Sequence, residues 1–561
     1  MTAAIASDKK TQAQTGAKLV VRNLEAQGVQ HVFGVPGAKI DAVFDALADS
    51  KIQTMQCRHE QNAAFIAGGI GRMTGKAGVV LVTSGPGCSN LVTGLATATS
   101  EGDPIVAIGG SVAIEHQLKQ VHQTMDTIAL FRPITKYTAS IDSPETVSEV
   151  IGNAFRIAES PRAGASFVSA SQNVMAGATS AEVLSPVLPQ QSGAAADDAI
   201  AAAAELTAKA HKPVIILGML ASEPAAAEAI RAFLYKTKIP VVSTFQAAGV
   251  VPRDLFDIFG GRIGLFHNQP GDNLLDAADL VITVGYDPIE YEPAAWNKGF
   301  KRNLIHIGVQ EADVDRDYRP SVSLVGNIAS TMQTLTSQLQ ARALPGVTPF
   351  LEMFATERAE FIKQALAKNG LPVHPMRLVH ELQQLVTDDM TLCVDVGSFM
   401  IWLARHLYNF RPRQLLFSNG QQTLGVGLPW AIAASLVRPH EKVLSISGDG
   451  GFLYSAMELE TAVRLKCNLV HMVWIDGSYD MVKFQELAKY GRPSGVNLGH
   501  VDVVRYAEAF GAKGLEIKTP DDITPIMKRA LETEGPVLVS VNVDYRDNLN
   551  LMRDLRSEVI V

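Results

Sequence analysis

Two acidic residues, Asp449 and Asp476, stand where a parallel sheet would bring them together. The run K-V-L-S-I-S before Asp449 is short, apolar and branched, which is typical of a buried parallel strand, and it ends at the glycine-rich turn G-D-G-G. A segment with helical spacing follows, and N-L-V-H-M-V-W-I is again strand-like. Both acids therefore fall at the carboxyl ends of strands, the edge at which α/β sheets bind ligands.

Two carboxylates at one sheet edge can share a divalent cation. Magnesium takes oxygen ligands in octahedral geometry and is usually held by one or two carboxylates together with substrate phosphates. The pattern predicts a diphosphate bridged to the protein by Mg2+, with phosphate on the N–H groups of Gly450 and Gly451 and with Ser478 adding a backbone carbonyl. The alternative is a tight turn in which Asp449 only caps the next helix. The second acid favours the metal site.

The G-D-G turn followed by an oxygen ligand at Asp476 resembles the cofactor motif of the thiamine diphosphate-dependent enzymes. That motif usually closes on paired Asn, whereas this chain has Asp476-Gly477. Aspartate keeps an oxygen ligand and adds charge, so metal binding is expected to survive the departure. The resemblance implies thiamine diphosphate and Mg2+ as cofactors, with the metal held by Asp449, Asp476 and Ser478.

The same family carries a glutamate on a helix that follows a glycine-rich strand end, and Glu60 in C-R-H-E-Q-N-A-A-F matches it. A buried carboxylate needs a partner, and the aminopyrimidine ring of thiamine would supply one. The resemblance implies that Glu60 holds a proton against a ring nitrogen and so allows the thiazolium carbon to become the nucleophile. The alternative is a helix N-terminal acid stabilised by the helix dipole.

Further site residues are implied by the resemblance alone. Leu424 matches the bulky apolar residue that props the cofactor in a bent form, although core packing would also explain it. Gln123 and Gln485 match polar residues of the substrate pocket, where amides could hold a carboxylate or an oxyanion, the alternative being surface glutamines. Lys39 is a weaker candidate for attracting a carboxylate, and a solvated lysine is the favoured interpretation. The implied cofactor contacts are Pro36, Glu60, Gly397, Ser398, Leu424, Gly450, Gly451, Ser478, Tyr479 and Met481.

The segments R-H-E-Q-N-A-A-F, T-S-G-P-G-C-S-N-L, V-H-Q-T-M-D and S-N-G-Q-Q-T-L-G-V-G-L-P-W-A-I resemble the catabolic, acetoin-forming acetolactate synthases. That resemblance implies a transferase that decarboxylates one pyruvate and condenses the two-carbon unit with a second pyruvate to give 2-acetolactate. The biosynthetic relatives place tryptophan at the position of Gln485, which favours 2-ketobutyrate as acceptor. Glutamine therefore indicates pyruvate in both roles.

The sequence departs from the family pattern at three places outside the cofactor motifs. V-G-Y-D-P-I-E-Y-E-P stands where flavin-binding relatives carry an Arg-Phe-Asp-Asp pattern, so we expect FAD to be absent. The segment S-A-S-Q-N-V at 169–174 lacks the usual Pro and Asp, and Gly308 stands where the family generally has Asp. The last two are expected to affect domain packing or stability.

Other functions of related folds are less consistent with the sequence. A non-oxidative 2-oxoacid decarboxylase would use adjacent histidines as acids, whereas His116 and His122 stand apart here. A flavin-linked pyruvate oxidase is disfavoured by the middle segment. A non-catalytic nucleotide-binding paralogue would be favoured by loss of Glu60 or Asp449, and both are present. A dinucleotide-binding dehydrogenase is weakly supported, because G-P-G-C-S-N has Asn at the position of the last glycine in G-x-G-x-x-G.

Composition sets further bounds. The 561-residue chain has a formal net charge of −8, which gives no indication of a basic surface for binding nucleic acid or anionic lipid. Its four cysteines lack a C-x-x-C pairing, which predicts a reducing, cytoplasmic compartment. No apolar run reaches the roughly 18 residues that a membrane span requires. We therefore expect a soluble protein with no nucleic-acid or membrane partner.

The chain reads as α/β, with three doubly wound parallel-sheet domains in the order of the thiamine diphosphate-dependent enzymes. We place the pyrimidine-binding domain at 15–183, the middle domain at 199–340 and the diphosphate-binding domain at 374–550, with a Pro-, Ser- and Ala-rich linker at 184–198. Because Glu60 and Asp449 act on one cofactor that the family places between two chains, the resemblance implies a homodimer at least. A homotetramer is expected by analogy.

Overall fold

The computed structural model describes residues 14–189, 192–299 and 302–552. Residues 1–13 of the polar N-terminal segment and residues 190 and 191 of the predicted linker lie outside the described residues. The chain divides into two compact units, the first running to Pro189 apart from residues 72–74, and the second comprising 72–74 and the remainder. Among the described helices, none combines the length and the apolarity needed to cross a membrane.

A six-stranded parallel sheet forms the first unit, in the order β2-β1-β3-β4-β6-β5. Strands such as G-V-V-L-V are buried along their whole length, as expected where helices cover a parallel sheet. The strands are β1 His31–Val35, β2 Gln53–Gln56, β3 Gly78–Val82, β4 Ile105–Ser111, β5 Tyr137–Ile141 and β6 Ala165–Ser171. The helices are α1 Gly16–Ala26, α2 Asp41–Ala48, α3 Glu60–Thr74, α4 Pro86–Ser89, α5 Val92–Glu101, α6 Thr127–Phe131, α7 Val147–Glu159 and α8 Gln172–Ala176.

The second unit contains two further six-stranded parallel sheets. The middle sheet has the order β12-β11-β10-β7-β8-β9. Its strands are β7 Pro213–Leu217, β8 Val241–Ser243, β9 Phe259–Arg262, β10 Leu280–Val284, β11 Asn303–Gly308 and β12 Val322–Val325. Its helices are α9 Asp197–Lys209, α10 Pro224–Thr237, α11 Pro270–Ala277, α12 Pro293–Trp296 and α13 Ile328–Gln338. Apolar clusters lie on both faces of this sheet.

The C-terminal sheet has the order β14-β13-β15-β16-β18-β17 and follows a 20-residue connecting helix, α14 Thr348–Ala367. Its strands are β13 Thr391–Val394, β14 Leu415–Phe417, β15 Val443–Gly448, β16 Leu469–Ile475, β17 Lys513–Ile517 and β18 Val537–Asn542. Its helices are α15 Pro375–Leu385, α16 Ser398–His406, α17 Gly427–Val437, α18 Asp449–Ser455, α19 Leu459–Arg464, α20 Asp480–Tyr490, α21 Val503–Ala509 and α22 Ile523–Glu532.

The predicted fold class is confirmed by these three parallel sheets with flanking helices. In each sheet the later strands add on both sides of the first, which creates a crevice at the carboxyl edge where the strand order reverses. The boundaries 15–183, 199–340 and 374–550 stay a prediction.

Gly34 tests the packing of the first sheet. A Cβ at this residue would lie 1.8 Å from the carbonyl oxygen of Leu81 on the neighbouring strand. We expect Gly34→Ala to destabilise the first unit by at least about 3 kcal/mol, because strand backbones cannot separate cheaply. Gly152 in α7 is the control, since nothing lies within 4 Å of its Cβ position. Gly152→Ala should add about 1 kcal/mol of helix stability.

Thermal unfolding of the two purified variants beside the wild type measures both effects. If the Gly34→Ala variant unfolded at the same temperature as the wild type, the close contact between Gly34 and the Leu81 carbonyl oxygen would be contradicted.

Candidate active site

The two predicted metal ligands lie at the carboxyl ends of neighbouring strands, β15 and β16. Asp449 is the first residue of α18, and its carboxylate accepts hydrogen bonds from the N–H groups of Gly450 at 3.0 Å and Gly477 at 2.8 Å. The second bond crosses from the turn after β15 to the turn after β16. Asp449 therefore links, by a hydrogen bond, the two turns that carry the predicted metal ligands.

Asp476 lies in an environment that disfavours its charged form. Its carboxylate accepts a hydrogen bond from the Ser478 hydroxyl. Burial is the main cause that raises its pKa to about 7, and the negative charges of Asp449 and Asp480 add to the effect while Lys483 opposes it. Burial also raises the pKa of Asp449, against the hydrogen bonds from its neighbouring backbone N–H groups. A divalent cation beside these acids would stabilise their charged forms.

The donor set fits magnesium. Two carboxylates and the Ser478 carbonyl are oxygen ligands, which Mg2+ prefers. Over the ranges that the structure describes, no group of three or more His, Cys, Asp or Glu side chains is arranged to hold a metal ion. A cation between Asp449 and Asp476 would therefore take its remaining ligands from phosphate oxygens and water, as Mg2+ usually does.

The glycines of the turn are fixed by the protein's own packing. A Cβ at Gly450 would lie 2.6 Å from the ring of Tyr479, and a Cβ at Gly451 would lie 3.2 Å from the Asp395 carboxylate. Close approach by a ligand is the reason that the sequence suggests for these glycines. The structure adds a second cause, because Tyr479 and Asp395 already occupy the space that side chains would need.

Ser398 and Asp480 connect α16 to the same edge. The Ser398 hydroxyl donates to the Asp480 carboxylate at 2.6 Å, and Asn548 donates to the same oxygen at 2.5 Å. The Trp402 indole N–H in turn donates to Asn548 at 2.8 Å. Asp480 thus fixes the start of α16 beside the start of α20, the helix that carries the predicted residues Met481 and Gln485.

Asp395 supports the turn that follows Leu424. It lies directly after β13, is only 1% exposed, and accepts hydrogen bonds from the N–H groups of Val396, Gly425 and Gly427. Burial raises its pKa to about 6. Leu424 is half-buried and packs against the C-terminal core, so its predicted propping role and its core-packing alternative are both compatible with its position.

The remaining predicted residues of the second unit lie around these anchors. Gly397 immediately precedes α16. Tyr479 donates its backbone N–H to Val496 at 2.8 Å, which pairs the turn after β16 with a neighbouring segment. Met481 packs against the core from α20, and Gln485 follows one helical turn later, half-buried on the same face.

In the first unit, Glu60 begins α3 and is 9% exposed. Its Oε2 accepts a hydrogen bond from the Asn90 amide at 2.9 Å. Among the described residues Oε1 has no hydrogen-bond partner, and the Cβ position of Gly87 lies 3.6 Å from it. The side chain is therefore held on one side by a neutral donor and keeps one oxygen available on the side of the G-P-G turn.

Gln123 lies against the same turn. Its Oε1 accepts a hydrogen bond from the Ser84 hydroxyl at 3.0 Å, and its backbone adopts a positive φ of 64°. Pro36 is exposed directly after β1, and Lys39 donates to Gln172 at 3.2 Å. Because β1, β3 and β4 are neighbouring parallel strands, the residues that follow them share one edge of the sheet.

The middle sheet carries a buried acid that the sequence analysis did not single out. Glu290 is 3% exposed and lies beyond β10, which neighbours β7 at the point where the strand order reverses. Its Oε2 accepts from the Met219 N–H at 2.8 Å, and its Oε1 accepts from the Thr244 hydroxyl at 2.6 Å. The Cβ position of Gly218 lies 2.6 Å from Oε2. The carboxyl group of Glu290 thus occupies part of this crevice.

Gly308 also has a local explanation. It ends β11, and a Cβ there would lie 2.6 Å from Nε2 of His306. The His306 ring is held by Tyr318, whose hydroxyl lies 2.9 Å from Nδ1. The buried imidazole therefore leaves no room for the Asp that the family generally has at this position.

Sequence reasoning missed Asn90, Asp395, Asp480 and Glu290 as supporting residues. Asp395 and Asp480 stand directly after a buried strand or turn, the same signal that identified Asp449. Asn90 lies within the motif T-S-G-P-G-C-S-N-L. Glu290 lies in the unusual segment of the middle domain, where its neighbours along the chain gave no sign of burial.

Comparison with known proteins matches three segments of the chain to one family of enzymes. Residues 14–130 match the thiamine pyrophosphate enzyme N-terminal TPP-binding domain, residues 200–335 its central domain and residues 395–541 its C-terminal TPP-binding domain. An acetolactate synthase of Bacillus subtilis (strain 168) is 49% identical over 99% of this chain and 97% of its own length. A catabolic acetolactate synthase of Raoultella terrigena is 49% identical over 97% of this chain and 98% of its own length. An acetolactate synthase isozyme 2 large subunit of Escherichia coli (strain K12) is 30% identical over 95% of this chain and 96% of its own length.

Glu290 makes stability depend on pH. Burial raises its pKa from 4.5 to about 8, so between these values the folded protein holds a proton that the unfolded chain has lost. Stability should therefore fall as pH rises from 4.5 to 8, by up to about 1.4 kcal/mol per pH unit from this residue. Glu290→Gln removes the titration, so the variant should match the wild type near pH 5 and be more stable at pH 8.5.

Thermal unfolding midpoints over this pH range measure the difference. Glu292→Gln, an exposed change two residues away, is the control and should follow the wild-type curve. Parallel curves for Glu290→Gln and wild type would show that Glu290 does not titrate within the fold.

Proposed function

This chain belongs to the acetolactate synthase family of thiamine diphosphate-dependent enzymes, and we propose that it decarboxylates one pyruvate and joins the two-carbon unit to a second pyruvate, giving 2-acetolactate and CO2. The observation that carries the proposal is the Asp449–Gly477 hydrogen bond, which joins two acid-bearing turns on neighbouring strands. Two carboxylates on adjacent turns are a donor set that can hold a divalent cation together with diphosphate oxygens, which supports the proposal.

When bound, thiamine diphosphate supplies a carbon nucleophile and a sink for the electrons released on decarboxylation. Asp449 and Asp476 would hold Mg2+ through their carboxylates, and Ser478 through its carbonyl. The Gly451 N–H at the start of α18 would donate to a phosphate oxygen, where the helix dipole also favours negative charge, and the Gly450 N–H would share its hydrogen bond to Asp449 with the phosphate.

Glu60 would exchange a proton with the aminopyrimidine ring. Asn90 donates to its Oε2, so Oε1 is the atom we assign to the ring nitrogen. Near-complete burial keeps water from competing for that oxygen. The amides of Gln123 and Gln485 would donate to the carboxylate of pyruvate or to the oxyanion that forms as carbon–carbon bonds are made and broken.

We further propose that the reaction needs no flavin. Dinucleotides bind α/β sheets in the crevice where strand order reverses, with phosphate on nearby backbone N–H groups. Here the Met219 N–H donates to the carboxylate of Glu290, and Gly308 leaves no acid at the end of β11. The crevice is thereby partly occupied by the chain's own groups, which supports catalysis without FAD.

A homodimer at least, and by analogy a homotetramer, is part of the proposal, because the family assembles each site from two chains. A reducing compartment such as the cytoplasm is supported by the four cysteines, all of which are free and buried.

Incubation of the purified protein with pyruvate, Mg2+ and thiamine diphosphate, without flavin, tests the function. Pyruvate loss is followed while acetolactate and acetaldehyde are assayed separately. Acetolactate as the main product is the expected result. Acetaldehyde as the main product would reassign the chain to the decarboxylases, and turnover only after addition of FAD would refute flavin independence.

The role of Glu60 is tested by Glu60→Gln. The amide keeps the shape and the contact with Asn90 but cannot exchange a proton, so we expect kcat to fall by at least about 100-fold. Thiamine diphosphate binding and the unfolding temperature should be retained. The measurements are the rate of pyruvate consumption and deuterium exchange at the reactive carbon of the cofactor.

Glu149→Gln, an exposed change on α7, is the control for loss of one charge in the same unit. Near-wild-type turnover of Glu60→Gln would exclude the proton-exchange role.

A further inference from the structure

A cleft of about 320 Å3, part of it open to solvent, lies in the second unit between the end of β9, the connecting helix α14 and the C-terminal end of α16. We call it the arginine cleft, because three guanidinium groups line it. Its lining includes Arg262, Glu357, Arg358, Arg405, His406 and Tyr408. None of them belongs to the active site described above.

Arg262 is fixed within the fold. It is 4% exposed, and its Nη1 donates to the carbonyl oxygens of Ala404 at 2.8 Å and Leu407 at 2.7 Å. Its Nη2 donates to Asn409 at 3.1 Å. These bonds satisfy carbonyl groups at the end of α16, so the negative end of the helix dipole is offset at the wall of the cleft.

Tyr408 brings a second guanidinium near the first. The Cζ atoms of Arg262 and Arg358 lie 5.5 Å and 5.3 Å from the centroid of its ring. Arg358 also lies over Phe256 at 4.9 Å, on the exposed side of α14. Arg405 donates one Nη2 hydrogen bond to Asn268 at 2.7 Å. Arginine thus enters the cleft from three separate chain segments.

The positive charge of the cleft is only partly balanced, because Asp272 and Glu357 act on Arg405 through charge but neither forms an ion pair with it. Within the described residues, no carboxylate oxygen lies within 4.0 Å of a nitrogen of Arg262, Arg358 or Arg405. Glu357 is the one acid among the lining residues. Burial, with the charges of Arg405 and Arg262, lowers the pKa of His406 to about 3, so this histidine stays neutral.

We propose that the arginine cleft is a binding site for a compact dianion of the phosphate or dicarboxylate type. Guanidinium groups match planar carboxylates and the faces of a phosphate, and Arg358 and Arg405 line the cleft without a carboxylate oxygen within 4.0 Å, beside the fixed charge of Arg262. The site needs no thiamine diphosphate and stands independently of the proposed reaction.

Calorimetric titration of the protein tests the site, with thiamine diphosphate and Mg2+ saturating so that the diphosphate turn is occupied. The probe is inorganic phosphate at constant ionic strength, with succinate in a parallel titration. Arg358→Gln should weaken binding by about five- to tenfold, since one charge-assisted contact at a partly exposed position is lost. Glu357→Gln should strengthen binding by about threefold, because a like charge is removed.

Lys363→Gln on the same helix is the control, since its side chain is 79% exposed and outside the cleft, and it should leave affinity unchanged. The opposite signs of the two cleft variants separate binding from any loss of folding. Saturable binding of either probe with this pattern supports the site, and the better probe identifies the chemical source. Absence of saturable binding of both probes, or equal affinity in Arg358→Gln and Glu357→Gln, would overturn it.

Discussion

Burial of carboxylates at one sheet edge, reinforced by repulsion between them, is the constraint on which the candidate site depends. Burial raises the pKa of Asp476, and the negative charges of Asp449 and Asp480 raise it further. Hydrogen bonds to Asp449 from Gly450 and Gly477, and to Asp480 from Ser398, hold two of the acids in place. The fold thereby keeps negative charge at an edge where it is costly, which is the arrangement that a divalent cation relieves.

Much of the fold and part of the site could be predicted from short stretches of sequence. Wholly buried strands such as G-V-V-L-V, glycine turns and acids after strands are local signals, and they identified three sheets and the pair Asp449 and Asp476. The helix start at Glu60 was equally visible. In each case the residues that carry the signal are neighbours along the chain, so their pattern survives without knowledge of the tertiary structure.

Supporting contacts between distant residues could not be predicted. Asp395 meets Gly425 across 30 positions and Ser398 meets Asp480 across 82, and no local pattern encodes either pair. The bonds of Glu290 to Met219 and Thr244 span 71 and 46 positions. Such partners are set by the order of strands in a sheet, which decides which turns become neighbours.

The packing of the phosphate turn has a consequence for how a ligand binds. Tyr479 and Asp395 lie against Gly450 and Gly451, so contacts within the protein hold this backbone in shape. A diphosphate would meet N–H groups that are already oriented, and little conformational entropy would be lost there on association. Preorganisation of this kind lets most of the interaction energy appear as affinity. The turn is then a rigid template, and any adjustment on cofactor entry would fall on the half-buried side chains around it.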